Sequence, residues 1–207
     1  MNKASRFTIA IIILAALQTL FLVSMIWGRI SLLRSEHIVM LQTEPVDPRD
    51  IFRGDYVRLS YGISRLVLDG LEGDKTFEQG DKVYVEIAPI SSRNTWLAVG
   101  TYKEKPVAAH GHEIIRGRID YVQTGVPRVS PLPGGNDMLE EPCEKCVALN
   151  VNYGIESYFI PQGTGTDLEK AGNARRISVD VALGDDGEAA IKGLRLDGKA
   201  LYEEPLF

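Results

Sequence analysis

Five charged residues crowd one short stretch: Asp47, Arg49, Asp50, Arg53 and Asp55, within PVDPRDIFRGDYVRLSY from Pro45 to Tyr61. Two guanidinium forks are suited to bidentate contacts with a carboxylate or a phosphate, so the cluster reads as a binding surface for a ligand or partner. The same residues also suit a purely local role. Asp47 and Asp50 can cap turns while the arginines pair with them. The candidate binding set is therefore Arg49, Asp50, Arg53, Asp55 and Tyr56. Tyr56 and Tyr61 read as core or interface aromatics rather than catalysts.

A second group with chemistry is Cys143-Glu144-Lys145-Cys146. These are the only two cysteines, so the chain is not a disulfide scaffold. Outside the cytoplasm the pair would form a short-loop disulfide. It would be redox-active if Lys145 helped to stabilise a thiolate. A metal site would need ligands from elsewhere, and no second C-x-x-C is present. His110 and His112 are far away in sequence and read as parts of a solvated turn. No metal and no cofactor are expected. Gly54-Asp55-Tyr56-Val57 also resembles a run near the active sites of signal-peptidase-like β proteases. Such enzymes need a Ser–Lys pair. Ser91, Ser92 and Lys82 are present, but nothing marks them as one.

The elements that must carry these residues begin with an anchor. Phe7 to Trp27 holds no charged residue and only four polar ones, Thr8, Gln18, Thr19 and Ser24. About twenty apolar residues cross a hydrocarbon core about 30 Å thick. The run is longer than the core of a cleaved signal peptide and no A-x-A site follows it, which favours an uncleaved signal-anchor. Lys3 and Arg6 precede the span and Arg29 and Arg34 follow it, so flanking charge does not set orientation. A single N-terminal span ahead of a large domain is the usual export arrangement. The domain is accordingly expected on the periplasmic or external face. Arg29 to Glu36 is expected to continue the helix, with Ile30, Leu32 and Leu33 on the headgroup layer.

Beyond the anchor the chain reads as strands and turns. His37–Thr43, Tyr56–Tyr61, Val83–Ile87, Trp96–Tyr102, Ile114–Val122, Val147–Ile160, Ile177–Val181 and Ala189–Leu196 carry β patterns. Val57, Leu59 and Tyr61 should face the core, as should Val83, Val85 and Ile87. Val126 to Cys146 is rich in Pro, Gly and acid and lacks a period, which predicts a functional or mobile loop. One short helix is expected over Thr166–Gly172. The net charge of -5 and pI near 5.3 argue against a nucleic-acid partner.

The order of pieces repeats. Tyr61-Gly62-Ile63, a strand from Val83 and one from Trp96 are echoed by Tyr153-Gly154-Ile155, a strand from Ile177 and one from Ala189. Two similar units would pack as a sandwich or barrel. The expected layout is a cytoplasmic stub, span and juxtamembrane helix over 1–35, then a β domain over 36–207. The domain would hold two repeats, 36–122 and 147–207, with a C-x-x-C insertion at 123–146. The fold class is mainly β: a transmembrane helix followed by a duplicated antiparallel domain.

Gly54, Asp55, Tyr56, Leu59 and Tyr61 form the run Gly-Asp-Tyr-x-x-Leu-x-Tyr. With PVDPRD before it, YGIESYFIPQGTG from Tyr153 and the closing IKGLRLDG, the chain resembles the GDYXXLXY family of bacterial membrane-anchored proteins. The resemblance implies a single N-terminal span, an exported domain and a home in the bacterial inner membrane. It implies no catalytic residues. It suggests a multi-pass membrane partner, because members are often found beside or fused to such proteins. The inserted Cys143-Glu144-Lys145-Cys146 lies outside that signature. The expected function is a non-catalytic binding or accessory subunit; a thiol–disulfide enzyme and a small-ligand carrier are the alternatives.

Overall fold

The computed structural model describes residues 3–44, 56–90, 95–131, 138–159 and 177–203. The chain is mainly β, with a single N-terminal apolar helix among the described residues. Helix α1 runs Lys3–Leu33. Within it, the 23 residues Ile11–Leu33, which hold an 18-residue window of mean hydropathy 2.2, are long and apolar enough to cross a membrane.

The strands follow as β1 (Ile38–Glu44), β2 (Tyr56–Arg58), β3 (Ser60–Tyr61), β4 (Arg65–Val67), β5 (Glu72–Gly73), β6 (Lys82–Ile90), β7 (Thr95–Tyr102) and β8 (Glu113–Thr124). Then come β9 (Arg128–Pro131), β10 (Met138–Glu141), β11 (Val147–Asn152), β12 (Ser157–Phe159), β13 (Ile177–Leu183), β14 (Ala189–Leu196) and β15 (Lys199–Glu203). One sheet has the order β15-β14-β13-β1-β3 and the other β4-β11-β8-β6-β7-β5. Strand pairs β9–β10 and β2–β12 complete the pairing.

Alternation places the core. In β1, Val39 and Leu41 are fully buried beside the buried Thr43, while the residues between them are less covered. Val83, Val85 and Ile87 of β6 are sealed from water, as are Val179 and Val181 of β13. These side chains form one cluster between the two sheets, one of which curls into a half-barrel. Each large aliphatic side chain buried this way contributes about 1.5–3 kcal/mol.

The signature strand breaks at Leu59. Its first part, β2, pairs with β12; its second, β3, pairs with β1. Leu59 and Tyr61 are buried, as the alternation requires. Ile63, Leu66 and Leu68 are buried too, although Ile63 lies in a turn.

Equivalent contacts recur between the halves. The Leu59 amide donates to the Glu156 carbonyl at 2.8 Å, and the Val151 amide donates to the Ser64 carbonyl at 2.9 Å. In β2–β12, Arg58 faces Ser157; in β4–β11, Asn150 faces Arg65. β6 bulges against β7 between Glu86 and Ile87, and β13 bulges against β14 between Asp180 and Val181. Within this pattern β1 beside β13 matches β8 beside β6. The first sheet is thus completed by strands from opposite ends of the chain.

Three local expectations change. The stretch Val126–Cys146, which lacks a sequence period, contains the β9–β10 hairpin. Strand β15 extends the sheet beyond Leu196. Leu32 and Leu33 do not rest on a headgroup layer. They are buried against the domain, in contact with Ala190. The Ser35 hydroxyl donates to the Leu183 carbonyl at 2.6 Å, and the Leu183 amide donates to the His37 carbonyl at 2.9 Å. The helix therefore runs into the β13–β14 hairpin with no spacer. The helix expected over Thr166–Gly172 lies outside the described residues.

Candidate functional site

The two Tyr-Gly-Ile turns meet at the centre of the domain. The Tyr61 hydroxyl donates to the Ile155 carbonyl at 2.6 Å, and the Tyr153 hydroxyl donates to the Ile63 carbonyl at 2.7 Å. Each turn is braced from within. The Tyr61 amide donates to Ser64 Oγ, and the Tyr153 amide donates to Glu156 Oε1. Burial, with a smaller push from the Glu156 charge, holds both phenols well above their usual range, so they remain donors. The last tyrosine of the Gly-Asp-Tyr-x-x-Leu-x-Tyr run is thus a reciprocal latch between halves, which agrees with its reading as core.

The expected binding cluster is only partly visible. Arg49, Asp50, Arg53 and Asp55 lie outside the described residues, as do Asp47, Ser91 and Ser92. Tyr56 opens β2, and its backbone pairs with Phe159. The described residues on either side of this stretch are Glu44, which ends β1, and Tyr56, which opens β2.

Cys143 and Cys146 are joined by a disulfide, with Cα atoms 5.4 Å apart. Cys146 is buried with Val126 and Ala148, whereas Cys143 is half-buried. The Gly125 amide donates to the Cys146 carbonyl at 3.0 Å. The crosslink sits where the β9–β10 hairpin leaves the sheet, and a shallow depression beside it is lined by Pro127, Pro142 and Glu144. Among the described residues no three His, Cys, Asp or Glu side chains gather in a group that could hold a metal ion.

One polar cluster escapes sequence reasoning. Glu86, at the β6 bulge, is buried. His112 Nδ1 lies 2.8 Å from Glu86 Oε1, the Ala109 amide donates to the same oxygen at 3.1 Å, and the Tyr102 hydroxyl donates to Oε2 at 3.2 Å. Burial alone would raise the Glu86 carboxyl. The Ala109 amide, then His112 and Tyr102, more than offset it and hold the carboxyl below its usual range. The cluster pins the 103–112 loop to the sheet. His110 is exposed on that loop and turns away from this role. The only sequence signal was a glutamate at an inward-adjacent position of an apolar strand.

A helix long and apolar enough to cross a bilayer is seated directly on a mainly β domain of two sheets, whose halves are joined by a tyrosine latch. The GDYXXLXY protein family model matches residues 18–194, most of the chain, and the chain belongs to that family. No curated protein and no solved structure matches it.

Proposed function

We propose that this protein is a non-catalytic binding or accessory subunit held at the bacterial inner membrane, with its β domain on the periplasmic or external face and a multi-pass membrane protein as partner. The observation that carries the reading is the junction of α1 and the domain. Leu32, Leu33 and Ser35 fasten the end of the helix to β13–β14, so the domain is presented at the membrane surface in one orientation. An exported enzyme acting on soluble substrates has no need of such a seat; a subunit that must meet a neighbour in the same bilayer does. The residues proposed for the contact are Arg49, Asp50, Arg53, Asp55 and Tyr56. The matched registers also support two repeats within 36–207, with β8 opening the second repeat rather than closing the first.

The test is detergent extraction from native membranes, affinity isolation and mass spectrometry. A stoichiometric multi-pass protein, lost in Asp55→Ala while the domain stays folded, is the expected result. A chain recovered alone at every detergent strength overturns the reading. A second reading is supported by the unequal exposure of the two cysteines, which is the arrangement of an attackable disulfide. A reduction potential below about -300 mV would mark the pair as structural.

A further inference from the structure

Beside the last turns of α1 an open cleft of about 480 Å³ separates the helix from the β6–β8–β11 face. Arg29 of the helix lines it, with Lys82, Arg116 and Arg118 from the sheet. Among the described residues Glu188 is the one carboxylate in the lining, and Asn152 is part of it. Among the described residues of the lining, four cations against one anion make a local excess in a chain whose net charge is -5.

The arrangement is electrostatically unfavourable as it stands. Lys82 and Arg118 are direct cross-strand partners in the β6–β8 register, and like charges so placed repel. Arg116 is engaged by Asp186. Arg29, Lys82 and Arg118 have no ion-pair partner among the described residues. Asn152 is directly opposite Arg118 on β11, and its Oδ1 accepts from the Gly154 amide at 2.9 Å, which leaves its amide nitrogen as a further donor.

The fold does not demand these cations. In the matched half, the pairing Glu44–Ser60 takes the place of Arg118–Asn152, and Gln42 takes the place of Arg116. A carboxylate is therefore compatible with the backbone where Arg118 stands. The positive charge belongs to the face that looks across the cleft at Arg29 of the helix.

We propose that this cleft binds a phosphate-bearing anion, and that its source is the headgroup of an anionic phospholipid. Arginine forks and a lysine match phosphate oxygens. Arg29 lies about 6 Å of helix rise before Leu33, which is already docked on the domain. The cleft thus opens at the level where the apolar span meets the headgroups, where clustered Lys and Arg attract anionic lipid. A bound phosphate would relieve the Lys82–Arg118 repulsion. The inference rests on α1 lying in a bilayer and not on the multi-pass partner.

The experiment uses the full chain in a mild non-ionic detergent, with native mass spectrometry during titration by short-chain phosphatidylglycerol, phosphatidylcholine or inorganic phosphate. One phosphatidylglycerol per chain is expected, held at least about tenfold tighter than phosphatidylcholine. Arg118→Glu, which also replaces the Lys82–Arg118 repulsion with an attraction, should weaken it at least about tenfold with a melting midpoint no lower than the parent's, and Lys199→Glu, outside the cleft, should not weaken it. If Arg118→Glu does not fold, Lys82→Gln carries the same expectation. Equal retention of the two lipids, or cleft variants that bind like the parent, overturns the proposal. Inorganic phosphate bound as tightly as the lipid overturns the lipid source. A chain that binds the lipid but brings down no membrane protein fails only the accessory-subunit reading.

Discussion

Removing one hydroxyl tests the tyrosine latch most directly. Tyr61→Phe keeps the ring, so no cavity opens, and deletes only the donor to the Ile155 carbonyl. The Tyr61 side chain is 1% exposed, so water does not replace the lost partner. A buried acceptor left without its bond costs about 1–3 kcal/mol. For a chain of this size about 2–4 °C of melting temperature accompanies each kcal/mol, giving a fall of roughly 2–12 °C. Tyr153→Phe, which loses the bond to Ile63, should fall by a similar amount. The two bonds join the same pair of turns, so the double variant should depart from additivity by at least about 0.5 kcal/mol. The assay is thermal melting of the full chain in detergent, followed by near-ultraviolet circular dichroism. Tyr121→Phe, on an exposed side chain of β8, serves as control and should change stability by less than about 0.5 kcal/mol. There is also a pH signature. Unfolded phenols titrate near pH 10, whereas the folded pair holds its protons to higher pH, so stability falls as pH rises past about 10. The Phe variants should flatten that fall. If both single variants melt with the parent and keep its alkaline profile, the latch is not a source of stability and the argument fails.

Other outcomes follow from the same geometry. Glu86→Gln should lose about 1–3 kcal/mol, because three donors converge on that buried carboxylate; urea unfolding measures it. The Glu86 carboxyl is depressed in the fold, so its contribution is present above about pH 4.5 and lost as pH falls through the lower folded value; acid unfolding of the Gln variant should be less steep there. His37 pairs with Glu113 at 2.9 Å, which raises the imidazole above 6.5. That support is full below pH 6.5 and lost as pH rises through the raised folded value, so the melting difference between pH 5.5 and 8.5 should shrink in His37→Gln. Gly117→Ala would set a Cβ 2.3 Å from Val151 Cγ1 and 3.1 Å from the Asn152 carbonyl, and overpacking of that kind costs about 1–3 kcal/mol, read as a lower melting midpoint.

Local pattern was enough for the strands that alternate cleanly. Val83, Val85 and Ile87 announce β6, and Val39 and Leu41 sit in a run that reads as strand, because a half-buried strand writes its period into its residues. The two Tyr-Gly-Ile runs also announced an echo. What they do not announce is that each tyrosine reaches across to the other run, since pairing partners leave no trace in a single strand's periodicity. For the same reason Lys82 and Arg118 look unrelated until the β6–β8 register sets them face to face. Strand β15 was missed because Lys199 and Glu203 bracket a short edge strand whose Leu201 is 49% exposed, so no buried face shows. Leu32 and Leu33 were misplaced because an apolar helix end looks the same whether lipid or protein covers it.

The neighbour chosen by β1 has a consequence for how the protein is made. Gln42 reaches the Ile177 carbonyl, a partner 135 residues further along the chain. At about 5–20 residues per second, β1 waits roughly 7–27 s for that partner to be synthesised. During the wait, Val39 and Leu41 have both backbone edges open, since among the described residues β3 pairs only Thr43 and Glu44 of β1. The pairing that covers β1 is therefore completed late in synthesis, with β14 and β15 still to follow. The nascent domain offers a sticky edge, which makes early chain release or truncation before Ile177 a route to aggregation rather than to a smaller folded unit.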